Sequence, residues 1–132
     1  MQVLVIHKIK HTPEVIIDSE KNEFSIRGFS RPENVESFFE QIYIWISKKA
    51  EAVSRNPHNL KIIIDLEYFN SSSLIHLLQF LTRCVEIKGN ESVGISWFYD
   101  NENDDSLEVC RDFAELLKVH IKKIRRINNV TV

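Results

Sequence analysis

The chain has 132 residues, 43% of them hydrophobic and 27% charged, and a formal net charge of −2. That length suits one domain with one proper core, and the near-neutral balance argues against nucleic acid as a partner, which calls for a strongly basic face. The apolar run in "MQVLVIHKIKH" is too short for a signal peptide or membrane span and lacks a small-residue cleavage site, so a soluble, cytoplasmic protein without membrane insertion is expected.

In chain order, "VLVIHKI" reads as a strand. "PEVIIDSEKNEFSIRG" reads as a hairpin: Val15 to Ile17 form one arm, Asp18 to Asn22 the turn, and Phe24 and Ile26 the second arm, which Gly28 ends. Next, Ser30 is expected to cap a helix with Pro32 in its first turn and Glu33 near the positive end of the dipole. Val35, Phe38, Phe39, Ile42, Trp45 and Ile46 follow at three- and four-residue steps, and Pro57 marks the stop. "NLKIIIDLEYF" is nearly continuous in apolar, β-branched residues, as expected of a central strand covered on both faces.

Leu74, Leu77, Leu78, Leu81 and Val85 predict a second amphipathic helix, ended at Lys88 and Gly89. "SVGISWFYD" is a further strand. "NENDDSLEVCRDFAELLKVHIKK" opens with acidic capping residues and runs helically through Leu107, Phe113, Leu116 and Leu117. The basic "KVHIKKIRRI" is expected to close that helix with dipole-favourable cations and continue as a short strand or docked tail. The alternating second half implies a right-handed crossover between parallel strands.

Between strand and helix stands "LEYFNSSSLIHLLQFL", with Ser71, Ser72 and Ser73 in a row. Capping needs one hydroxyl, and Ser71 or Ser72 is expected to supply it. A strand's C-terminal end feeding a helix N-terminus is also where α/β folds hold anions, so a phosphorylated serine is the functional reading. Nucleophile chemistry has little behind it: there is no G-x-S-x-G elbow, although His76 lies one turn on.

Two other constellations lead to bland readings. Asp100, Glu102 and Asp104 alternate as in an EF-hand loop, but Asp105 stands where glycine belongs and Arg111 where the bidentate glutamate belongs. The five histidines (His7, His11, His58, His76, His120) have no metal-ligand spacing, so no metal or cofactor is expected. Cys84 and Cys110 have no C-x-x-C partner and read as reduced thiols.

"TPEV" (Thr12–Val15), "GFSRPENV" (Gly28–Val35) with its aromatic helix, "LEYFNSSS" (Leu66–Ser73) and "VGISWFYD" (Val93–Asp100) together resemble the SiaC family of bacterial regulatory phosphoproteins. The resemblance is strongest over residues 12–117 of a single domain spanning 1–132. It implies a compact α/β domain similar to anti-sigma-factor antagonist (STAS) domains, with a mixed sheet of about five strands and three main helices. It also implies a non-enzymatic switch phosphorylated at Ser71, with Ser72 and Ser73 as alternates. Its partners would be a SiaB-like kinase, a metal-dependent serine/threonine phosphatase and an effector, in this family a diguanylate cyclase that makes cyclic di-GMP. The partner surface would comprise Pro32, Glu33, Asn34, Glu67, Tyr68, Phe69, Asn70, Ser72, Ser73 and His76, with the Ser71 phosphate beside Asp65 and Glu67. The alternatives are an antagonist acting on a different effector and a small hydrolase using Ser71 to Ser73.

Overall fold

Apolar residues at alternate positions build six strands, and three longer stretches at helical spacing build the helices. The computed structural model describes residues 2–127. The elements are β1 (Val3–Ile6), β2 (Glu14–Asp18), β3 (Glu23–Ser30), α1 (Val35–Arg55), β4 (Leu60–Phe69), α2 (Ser71–Lys88), β5 (Val93–Tyr99), α3 (Ser106–Leu117) and β6 (Ile121–Arg125), with one turn of 3-10 helix at Asn90–Ser92. The ends of the expected 1–132 domain, Met1 and residues 128–132, lie outside the described residues.

The sheet follows chain order, β1-β2-β3-β4-β5-β6. β1, β2 and β3 pair antiparallel, and β3 to β6 pair parallel. Each parallel step carries one helix, and because all three steps go the same way, right-handed crossovers put all three helices on one face. Burial agrees: Leu60, Ile62, Ile64 and Leu66 of β4 are buried, while at the alternate positions Lys61 and Glu67 are exposed and Ile63 and Asp65 half-buried. The expectation that β4 is covered on both faces is therefore corrected. On the open face Ile63 is shielded sideways, by its register partners Ser25 on β3 and Ser96 on β5, and a β-branched residue suits that pleated setting without a helix above it.

Phe39, Ile42 and Ile46 of α1, Leu77, Phe80 and Leu81 of α2, and Cys110 and Phe113 of α3 close on this sheet to form one core. The result is a single compact α/β domain with a mixed sheet of six strands rather than about five. The additional strand is β6, which pairs in parallel with β5. α3 stops at Leu117, where Lys118 turns left-handed (φ 55°), so "HIKK" does not continue the helix.

Two expectations near the first crossover are also revised. Gly28 does not end β3; with φ 116° it sits at a register shift inside the strand, which continues to Ser30. Nor does Ser30 cap α1. That cap is Asn34, whose side-chain oxygen accepts the Ser37 amide at 3.1 Å, so Pro32 precedes the helix.

Candidate functional site

The backbone of β4 ends at Phe69, and Asn70 turns the chain into α2. Asn70 Oδ1 accepts the Ser73 amide at 2.9 Å, and its carbonyl accepts the Leu74 amide at 3.2 Å. Asn70 is thus the cap, not Ser71 or Ser72, and the three serines occupy the first three helical positions. They face different surroundings. Ser71 and Ser72 are exposed, whereas Ser73 is 1% exposed. The Ser73 hydroxyl donates to the Ser30 carbonyl at 3.0 Å and accepts from the Ser30 hydroxyl at 2.9 Å. With the Asn70 amide donating to the same Ser30 carbonyl at 3.2 Å, three hydrogen bonds join the end of β3 to the turn at Asn70 to Ser73.

The segment after Ser30 carries the other expected residues. Pro32 is half-buried, Glu33 and Asn34 are exposed, and together they line a cleft of about 390 Å³ with Ile9, His11 and Phe38. Tyr68 is 43% exposed, with the Arg31 guanidinium 5.4 Å from its ring centre. Phe69 is half-buried and meets Trp97 edge-on. Glu67 is exposed and lines a second cleft, of about 210 Å³, with Tyr68, Phe69, Asp104 and Asp105. This second cleft thus carries an acidic rim at the end of β4, next to the chain's turn into α2.

His76 is half-buried and packs against α1. Its ring stacks on Phe39 (5.4 Å between centres, 19° between planes), and Nδ1 lies 3.4 Å from the Tyr43 hydroxyl. That hydroxyl donates to the His76 carbonyl at 2.8 Å, and burial pushes the Tyr43 phenol up to about 12. His76 therefore ties two helices together and is not poised as a base beside a serine.

Asp65, expected beside the phosphate, points to the open face. It accepts from Arg126 Nε at 2.7 Å and has Arg27 at 3.8 Å. In the "DNENDD" loop the Asp104 carboxylate accepts the amides of Asp100 at 3.0 Å and Ser106 at 2.9 Å, while Asp105, at the cap position of α3, makes no side-chain cap bond. Burial would raise the Asp104 pKa, but those bonds outweigh it and hold it below its usual value. Among the described residues no group of three His, Cys, Asp or Glu is placed to hold a metal ion. Cys84 and Cys110 are buried, and burial pushes both thiols up, away from thiolate reactivity.

The family model for SiaC family regulatory phosphoproteins matches residues 6–126. The chain belongs to that family. The match extends beyond the 12–117 stretch at both ends and takes in β6. Three solved structures share the fold. One is of the diguanylate cyclase SiaD in complex with its activator SiaC from Pseudomonas aeruginosa, with TM-score 0.79, 25% identity and coverage of 93% of this chain and 99% of that one. Apo-SiaC from the same organism gives TM-score 0.71 at 25% identity, covering 96% and 100%. A further SiaC structure gives 0.73 at 23% identity with the same coverage and supports the fold alone. No curated protein sequence matches the chain.

For this SiaC-family chain the residue that sequence reasoning missed is Ser30. Phe24, Ile26 and Gly28 are buried at alternate positions, and extending that alternation puts Ser30 inward, beneath α2. Arg31, over Tyr68, follows from the same register. Among the described residues no helix is long and apolar enough to cross a membrane.

Proposed function

We propose that this SiaC-family chain is a non-enzymatic partner switch, acting in the cytoplasm as one domain. Its unphosphorylated form binds and activates a diguanylate cyclase. A SiaB-like kinase phosphorylates Ser71 and a metal-dependent serine/threonine phosphatase resets it. The cyclase is inferred from the structural neighbour described as the activator of SiaD. The observation that carries the reading is the exposure of Ser71 at the first position of α2 while Asn70 holds the cap, so that its hydroxyl is open to modification without loss of the helix start. Ser73, at 1% exposure, is closed to a kinase in the folded protein, and Ser71 is preferred over Ser72 by the family resemblance.

The partner surface in this reading is Pro32 to Asn34 together with Glu67 to Ser72. Ser73 and His76 support it from beneath. A phosphate adds about 1.5–2 negative charges beside the acidic rim of Glu67, Asp104 and Asp105. Like-charge repulsion and desolvation of that group then weaken a docked partner, and every 1.4 kcal/mol or so is tenfold in affinity.

The test has two stages. Incubation with the cognate kinase and ATP should add the mass of one phosphate, mapping to Ser71. In a cyclase assay following cyclic di-GMP made from GTP, wild type and Ser71→Ala should activate and Ser71→Glu should not. A phosphate mapping outside residues 71–73, or full activation by Ser71→Glu, overturns the proposal.

A further inference from the structure

Three adjacent serines need three explanations, and the third lies under the surface. Ser73 and Ser30 are each 1% exposed, and each hydroxyl is hydrogen-bonded to the other residue. Two buried alanines would pack there without a polar group to satisfy, so the hydroxyl pair adds directional bonds that packing alone does not supply. These bonds join two segments 43 residues apart in the chain. On one side is the turn that carries Ser71. On the other is the end of β3, where Arg31 follows Ser30 at once and donates its amide to the His11 carbonyl at 2.8 Å. The Ser30 carbonyl takes both the Asn70 amide and the Ser73 hydroxyl, so both of its acceptor positions are used by the turn at Asn70 to Ser73.

We infer that Ser73 is a positioning residue of the switch: its buried hydroxyl transmits the charge state of Ser71 to the Arg31–Asn34 segment. The inference rests on the proposed phosphorylation of Ser71 and extends it to a second segment of the partner surface. A dianion at the first helical position attracts the amides of its own turn, including the Ser73 amide that Asn70 now holds at 2.9 Å. Any adjustment of that turn is carried across the Ser73–Ser30 bonds, because the short Ser73 side chain bonds the Ser30 carbonyl and hydroxyl directly. Glu33 and Asn34, three and four residues beyond Ser30, therefore change their presentation together with Ser71.

The experiment installs phosphoserine at position 71 during synthesis of the full chain, so that it needs no kinase. Backbone amide NMR shifts are then compared with and without the phosphate. In the wild type the Arg31, Glu33 and Asn34 amides should shift clearly. In Ser73→Ala the same shifts should fall at least threefold, while the amides of residues 71 and 72 respond as before, and Ser73→Thr, which keeps the hydroxyl, should restore them. A structural role alone would alter both phosphorylation states equally and leave the difference between them unchanged. Should Ser73→Ala fail to give a folded spectrum, Ser30→Ala, which removes the other hydroxyl, is expected to reduce the shifts in the same way. Silent Arg31–Asn34 amides in the wild type, or undiminished shifts in a folded Ser73→Ala or Ser30→Ala protein, overturn the inference. Failure of the kinase to modify Ser71 would refute the functional reading without touching this result, so the two failures are separable.

Discussion

Replacing Ser71, Ser72 and Ser73 one at a time with alanine removes the same atom from two exposed places and one buried one. At Ser73 the change deletes a donor to the Ser30 carbonyl and the acceptor of the Ser30 hydroxyl, at 1% exposure. Each hydrogen bond is worth about 0.5–1.5 kcal/mol net, and a buried hydroxyl left without a partner costs about 1–3 kcal/mol. Because the Ser30 carbonyl keeps the Asn70 amide, these overlap, and a total of about 2 kcal/mol is expected. With an unfolding entropy of about 2.1 cal/mol/K per residue, a chain of this length loses about 7 °C in Tm. Ser71 and Ser72 are exposed and take no part in the cap or the clamp, so their alanine variants should stay within about 0.5 kcal/mol, under about 2 °C. Thermal unfolding followed by circular dichroism, checked by urea titration at constant m, measures all three. A Ser71→Ala protein as unstable as Ser73→Ala, or a Ser73→Ala protein indistinguishable from wild type, would refute the assignment of the clamp.

Two predictions concern pH. Tyr43 holds its proton to about 12 in the folded chain but only to the ordinary tyrosine value of 10.0 when unfolded, so the contribution of this group is complete below pH 10.0 and lost as pH rises towards 12. Phenolate absorbance should show one tyrosine ionising late, and Tyr43→Phe should abolish that component; three tyrosines titrating together would contradict it. Asp104 has its pKa lowered from 3.8, so its contribution is present above 3.8 and disappears as pH falls through the lower folded value. The stability gap between wild type and Asp104→Asn should therefore narrow on acidification, and a gap independent of pH would refute the role of its carboxylate bonds.

Much of the fold was legible because its signals are periodic. The Phe38, Phe39, Ile42 and Ile46 stripe identified α1, and the end of α2 at Lys88 and Gly89 followed from glycine at the left-handed position, φ 89°. What was not legible lacked a local mark. Gly28 has no side chain to show which face it occupies, so the alternation leading to Ser30 was hidden, and with it the clamp. A short strand after α3 was one of the two expectations for the basic segment, but Lys118 adopts a left-handed conformation unusual for lysine, so nothing in "LLKVHIKK" marked Leu117 as the last helical residue. The run "KIIID" says that residues are apolar but not whether a helix or a neighbouring strand shields them, so the open face of β4 was missed. Within the candidate site, exposed and buried serines look alike in one dimension, and so do a cap at Asn70 and a cap one residue later. The choice of Ser71 as the proposed acceptor comes from the family resemblance and not from spacing.

The division of labour among four adjacent residues explains how a switch can act without refolding. Were Ser71 itself the cap, modification would compete with the helix start, and each phosphorylation would cost roughly the 0.5–2 kcal/mol that a lost cap costs. With Asn70 bonded to the Ser73 amide and Ser73 bonded to Ser30, the start of α2 is held from both sides, and Ser71 is left as a position where charge can change while the fold persists. A dianion at an exposed helix N-terminus is tolerated by the protein that carries it, since the dipole favours it. In the proposed switch the same dianion is not tolerated by a partner that must dry the surface beside Glu67, Asp104 and Asp105. In that reading, the asymmetry between the carrier and its partner makes the modification a message instead of a lesion.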